Sequence, residues 1–280
     1  MSKSRFYLRC FFIVLLCVLV LGIAVVSLFA LGERVAFGFE RFYPDYERAD
    51  LSSVLEKESL SDEDYELIYL QTGLTRVGVD STLDEQGVSG VLAIQDAFFG
   101  EHTVKEHKFA PFCHYYYINH QIPSAPLKEG DIIVSSSTEF SFWSVGHCAM
   151  VSDIENGRVI EAIGIGSASK HGYISSILKR GNFVVLRPKA DAKAIEDIVA
   201  YTEENLIGIK YDPTIGILSR KHIDDIKYTH CAHIFWYAYY EHGIDIDSNG
   251  GPVVTPRDIL FSEHFEIIQV AGFDPVSIWD

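Results

Sequence analysis

From Cys10 to Leu31 the chain carries no charged residue. That run of 22 residues matches the roughly 20 a helix needs to cross a bilayer core. Residues 1–9 ahead of it hold Lys3, Arg5 and Arg9 and no acid. A secretory signal peptide is the competing reading, but its apolar region usually spans about 7–15 residues. No small-x-small cleavage pattern stands near Phe29–Gly32. The segment 10–32 therefore reads as an uncleaved signal anchor. The basic end 1–9 is expected in the cytoplasm and everything beyond Gly32 outside the cell membrane.

The expected outer part is acidic. Of 23 Lys and Arg in the chain, three lie in the first nine residues, which leaves 20 against 39 Asp and Glu. Nucleic acid requires a basic footprint and is excluded as a partner. Electrostatic docking on anionic lipid or wall polymer is disfavoured for the same reason; an acidic surface serves solubility. Cys10 and Cys17 fall in the apolar run, which leaves Cys113, Cys148 and Cys231 outside. Three is odd, so at least one stays unpaired or bonds another molecule. An oxidising compartment suggests a Cys113–Cys148 disulfide, with Cys231 reduced.

Residues 33–54, aromatic and charged around Pro44, read as a juxtamembrane linker. Residues 55–126 read as a helical lead-in packed on the domain that follows. Ser61-Asp62-Glu63-Asp64 forms a capping box before a helix with Gly73 as its stop. Thr75–Gly87 is a second short helical or turn region, and an apolar stretch from Ser89 to Phe99 closes at Gly100. Pro111, Pro123 and Pro126 mark loops. Residues 127–280 are β-rich first. Strands are expected at Gly130–Val134, Val145–Val151, Arg158–Ile163 and Phe183–Leu186, with Asn156-Gly157 as a hairpin turn. Asp191 caps a helix lined by Ile195, Ile198, Val199 and Leu206. Cys231–His242 is an apolar, aromatic helix expected to be buried on most sides. Thr255-Pro256-Arg257-Asp258 starts another helix, and Phe265–Val270 is a last strand. The fold class is α+β.

Cys231 follows a loop and opens its helix. Free N–H groups and the positive end of the dipole there lower a thiol's pKa and can hold an oxyanion. A thiol nucleophile needs a base, and the base an orienting group. Strand alternation puts His147 and Ala149 on one face, Cys148 and Met150 on the other. Glu161 sits on the neighbouring strand, and a carboxylate in an apolar strand is costly unless paired. Hairpin pairing sets Glu161 beside His147. His230 flanks Cys231 and is a second influence on its pKa. The 11 histidines show no HExxH and no two-His, one-carboxylate spacing, so neither a metal nor a cofactor is expected.

These residues resemble a known family. Gly130-Asp131-Ile132-Ile133, then Gly146-His147, then Val159-Ile160-Glu161-Ala162, then a cysteine opening an aromatic helix, is similar to the circularly permuted NlpC/p60 hydrolases of the YiiX-like branch. Tyr239–Gly251 followed by Thr255-Pro256-Arg257-Asp258-Ile259 is similar to the tail of that branch. Ser61–Tyr65 and Gln71–Leu74 are similar to its upstream part, so the likeness runs from about residue 55 to the end. The resemblance implies a permuted papain-like fold, with the histidine strand preceding the cysteine helix. It implies Cys231 as nucleophile, His147 as base and Glu161 as orienting group. Gly208-Ile209-Lys210-Tyr211 is similar to the family's Gly-x-x-Tyr segment, which implies that Tyr211 shapes the oxyanion site. The chain departs from the pattern in placing His233 two residues after Cys231, which puts His230 and His233 among the candidate substrate contacts. The Gly- and Ser-rich stretch between Ile163 and Arg180 is expected to be a loop over the cleft.

The expected activity is that of a membrane-anchored extracytoplasmic cysteine amidase or peptidase, acting on cell-wall peptides such as those of peptidoglycan. A lipid or thioester acyl hydrolase or acyltransferase is the alternative enzyme. A binding module that kept the fold and lost turnover is the alternative of another class.

Overall fold

The first helix of the computed structural model, α1 (Lys3–Val35), contains the apolar run. The structure describes residues 3–35, 39–141 and 143–279. Residues 1 and 2, the side chains of Lys3 and Arg5 in the basic end, and residues 36–38 of the linker lie outside the described residues. Within α1, Arg9–Leu31 is long and apolar enough to cross a membrane, and none of it is buried against the protein.

Residues 39–51 do not behave as a linker. Leu51 and Arg41 are buried, the Phe42 N–H donates to Gly272 O over 3.1 Å, and Phe39 stacks on Tyr116 with ring centroids 5.2 Å apart. Apolar and aromatic content explains the correction: these side chains gain more by packing on the domain than by remaining in water. A short α2 (Ser52–Leu55) follows.

Ser61 caps α3 (Asp62–Thr72) through the expected capping box, and Gly73 ends it at φ 73°. A Cβ at Gly73 would collide with Val270 O, so glycine is required there by space as well as by dihedral. Helix α4 (Arg76–Phe99) joins the two segments expected separately, with a break at Gly87 (φ 68°, ψ −171°).

The lead-in is helical only to Phe99. Strands β1 (Val104–Ala110) and β2 (Cys113–Ile118) form a hairpin where only loops were expected. Most side chains of β1 are exposed, so it lacks the apolar alternation that marks a half-buried strand. Next come β3 (Ile132–Ser135), β4 (Thr138–Phe140), β5 (Trp143–Ser144), β6 (His147–Asp153), β7 (Arg158–Glu161), β8 (Lys170–Tyr173), α5 (Ile174–Ile177) and β9 (Phe183–Pro188). Asp191 caps α6 (Ala192–Asn205), its side chain accepting from the Ala194 N–H. The chain continues through β10 (Lys210–Tyr211), β11 (Tyr228–Thr229), α7 (His233–Glu241), α8 (Pro256–Leu260) and β12 (Phe265–Ala271).

Six strands form the main sheet in the order β12-β9-β3-β6-β7-β8, every neighbour antiparallel. Alternation divides its side chains between two cores. Ile132, Val134, Cys148, Met150, Ile160, Val184 and Leu186 pack with residues of α6, α7 and α8 on one face. Ile133, Ala149, Val151, Val159 and Val185 pack with residues of α3 and α4 on the other. Burial on both faces accounts for the near-continuous apolar runs Ile132–Val134 and Phe183–Leu186. Each fully buried Val, Leu or Ile contributes about 1.5–3 kcal/mol. A second sheet, β1-β2-β4-β5, stands beside the first. The fold is α+β, as expected.

Candidate active site

The site lies where the β6–β7 ladder stops. The Ile154–Gly157 turn closes with a 3.2 Å backbone bond, Gly157 taking φ 63°, as Asn156-Gly157 predicts. The last registered pair is Ala149 with Glu161. His147 is two residues before Ala149 on the same face, so Glu161 reaches it diagonally. His147 Nε2–H donates to Glu161 Oε2 over 2.9 Å, and both side chains are buried.

Cys148, past the last β6–β7 pair, turns its N–H toward the Cys231 sulfur. The amides of Ala232 and Cys231 itself also favour the thiolate. The sulfur thus rests against the amide next to the imidazole-bearing residue. Cys231 precedes α7, which begins at His233 with Ala232 as N-cap; the expected start at Cys231 is two residues early.

Electrostatics correct another expectation. Burial pushes the Cys231 thiol up to about 11, although three amides and Arg180 act in the opposite sense. Only 7% of the residue is exposed, and loss of hydration outweighs the N–H groups. At neutral pH the sulfur is a thiol. Burial likewise holds the His147 imidazole below its ordinary value, against the pull of Glu161. Burial raises the Glu161 carboxyl, but the His147 hydrogen bond and the charges of His147, Arg180 and Lys170 leave it lower than usual. The resting pair is a neutral imidazole on a carboxylate. Since Nε2 carries the donated proton, Nδ1 holds the lone pair.

Arg180 escaped the sequence reading. It is buried, its guanidinium lies 3.8 Å over the Tyr115 ring, and it acts electrostatically on both Glu161 and Cys231. Its backbone bridges Tyr117, so β2 delivers it to the site. The Lys179-Arg180 pair before Gly181 shows no periodicity, and only long-range pairing reveals its place. A buried guanidinium stays charged and favours any anion formed at the sulfur.

Tyr211, in β10, lies within electrostatic range of Cys231, Cys113 and Cys148, and burial raises its phenol well above the ordinary value. The phenol therefore keeps its proton at neutral pH. Cys113 and Cys148 are not bonded to each other. The expected disulfide is absent: Cys148 points into the α7-side core, while Cys113 is carried by the second sheet.

The two histidines diverge. His233 Nδ1 meets Thr229 Oγ1 at 3.1 Å, and Nε2–H donates to Lys221 O over 2.8 Å. Both nitrogens are occupied, so His233 clamps the start of α7 instead of facing a substrate. His230 Nδ1 accepts the His233 N–H at 3.4 Å, and its Nε2 is buried without a hydrogen-bond partner. Burial lowers His230 to about 3 and His233 to about 4, so both are neutral. Among the described residues no three His, Cys, Asp or Glu side chains gather as metal ligands.

The stretch after Ile163 is tied down. The Ser169 N–H donates to Ile209 O over 2.8 Å and the Tyr211 N–H to Ser167 O over 3.0 Å. Beyond it come β8 and α5, so the region is no free loop over the cleft. The β1–β2 hairpin borders the site instead: Phe109 lies against Gly164, Tyr115 beneath Arg180 and Cys113 within electrostatic range of Tyr211.

No family model, no curated protein and no solved structure matches this chain.

Proposed function

We propose that the protein is a membrane-anchored cysteine hydrolase with a circularly permuted papain-like domain of the NlpC/p60 type. The observation that carries this reading is the buried 2.9 Å His147–Glu161 bond, one residue from the Cys148 amide that favours a thiolate at Cys231. The order of the parts, histidine strand before cysteine helix, is the order the family resemblance implies.

Chemistry proceeds from the neutral pair. As the sulfur attacks a carbonyl carbon, His147 Nδ1 takes the thiol proton and Glu161 stabilises the imidazolium. The oxyanion receives hydrogen bonds from amides at the start of α7 and from Tyr211, with Arg180 adding positive potential. His147 returns its proton to the leaving amine or alcohol as the carbon–heteroatom bond breaks, which leaves a thioester on Cys231. Water then attacks the thioester, His147 accepting its proton and passing it to the departing sulfur. A free acid is released.

Wall peptides are the favoured substrates, because the positive-inside rule keeps the basic end in the cytoplasm and so favours a domain on the outer side. A lipid or thioester acyl group is the second reading, favoured by contact between α1 and the sheet that roofs Cys231 (Phe29 against Phe140, 5.3 Å between centroids). The test compares full-length protein with Cys231→Ala on purified wall peptides, phospholipid and a nitrophenyl acyl ester. Release of an amine from wall peptides supports the first reading and release of fatty acid the second. Turnover that survives in Cys231→Ala overturns the cysteine mechanism, and no turnover of any substrate by the wild type overturns the hydrolase and leaves a binding module.

A further inference from the structure

The tip of the β1–β2 hairpin and the β4–β5 turn meet at the outer end of α1. Phe29, two residues before the end of the span, contacts Phe112, Phe140 and Trp143 with centroids 5.8, 5.3 and 5.9 Å away. Ser141 Oγ–H donates to Phe29 O over 2.9 Å, and the Ser141 N–H donates to Phe112 O over 2.6 Å. Phe112 and Ser141 hold φ of 61° and 57°, and among the described residues no other non-glycine has positive φ. An aromatic residue in the left-handed region costs free energy. Both strained positions fall at this one junction.

The patch remains open to solvent despite these contacts. Trp143 is 51% exposed and Val145 47%. Tryptophan is the side chain most suited to the headgroup level of a bilayer, with an apolar body and a polar N–H. Because Phe29 lies inside the span, a membrane that takes up Arg9–Leu31 brings its surface to this patch. Packing of residues 39–51 on the domain further limits how far the domain can swing away.

We propose that Phe112, Phe140, Trp143 and Val145 form a lip that enters the headgroup region of the same bilayer that α1 spans. The occupant is the phospholipid surface, engaged by apolar insertion, which agrees with an acidic chain of net charge −16. The lip continues directly into the roof of the thiol, since Cys113 follows Phe112 and lies with Cys231 around Tyr211. The Cys231 site is thereby held at the membrane surface. This proposal rests on α1 spanning a membrane and is independent of catalysis.

The test uses full-length protein in phosphatidylcholine vesicles whose acyl chains carry bromine near the headgroup or near the chain end. Subtracting the emission of Trp143→Phe isolates the Trp143 signal. Most of that signal is lost to shallow bromine and less to deep bromine, and Phe112→Ser restores much of it. An unchanged Trp143 signal in brominated and plain vesicles overturns the lip, including the case in which two copies cover each other's patches. Ester turnover by the same samples is read separately. Quenching without turnover supports the lip and counts against the hydrolase; turnover without quenching does the reverse.

Discussion

The Nε2–H of His147 is donated to Glu161 Oε2 over 2.9 Å, which fixes the tautomer and leaves the lone pair on the other ring nitrogen. Replacing Glu161 with Gln removes the charge that stabilises the imidazolium and allows the ring to flip. The expected loss in kcat is on the order of 10²–10⁴, with KM little changed. Steady-state kinetics on any turned-over acyl substrate checks this. A variant as fast as the wild type removes Glu161 from the mechanism.

Gly172 of β8 provides the space the carboxylate occupies: a Cβ there would run into Glu161 Oε1. Gly172→Ala therefore displaces Glu161 without altering either member of the pair. Activity is expected to fall about tenfold or more, by analogy with other losses of orientation. Circular dichroism and melting temperature should stay near wild type, because the clash falls on the far end of a flexible side chain.

A thiol raised to about 11 makes alkylation of Cys231 slow at pH 7 and progressively faster toward pH 11. Arg180→Gln removes the buried cation that favours the thiolate, so the profile moves to still higher pH. Hydrolysis by that variant should drop roughly ten- to a hundredfold. Mass-spectrometric rates for Cys231 against pH measure the shift. A thiolate titrating near pH 7 in the wild type would contradict the burial argument.

Three buried histidines couple folding to pH. His147 is lowered, His230 sits at about 3 and His233 at about 4, against an unfolded value near 6.5. Below that value the unfolded chain binds protons that the folded one refuses. Stability is full above about pH 7 and declines as pH falls toward the folded values, by about 1.4 kcal/mol per pH unit for each such group. His230→Gln should remove one histidine's share of that slope. Denaturant unfolding across pH 4.5–7.5 (a window around the usual histidine value) tests the slope, and a flat profile defeats it.

Local chemistry was legible in the sequence wherever it is local in the fold. The caps at Ser61, Asp191 and Thr255 and the Asn156-Gly157 turn follow from neighbours three residues apart or fewer. His147 and Glu161 were readable as a pair because one tight hairpin sets their faces. The β1–β2 hairpin was not, since its first strand buries little and shows no apolar alternation. Arg180 reaches the site through β2, more than 60 residues earlier in the chain. The thiol's pKa is illegible for a related reason: N–H groups near a helix start are visible in sequence, whereas the depth of burial that outweighs them is not. The spacing of His233 from Cys231 points to the cleft, but two hydrogen bonds to groups outside the helix hold it.

The end of the β6–β7 ladder at Ala149 and Glu161 ties the His147–Glu161 hydrogen bond to strand alignment. Side chains in a strand alternate, so sliding β7 by one place sends the carboxylate to the α7 face and strands the imidazole. The turn at residues 154–157, which contributes no reactive group, thus works as the gauge that sets which nitrogen of His147 can accept a proton.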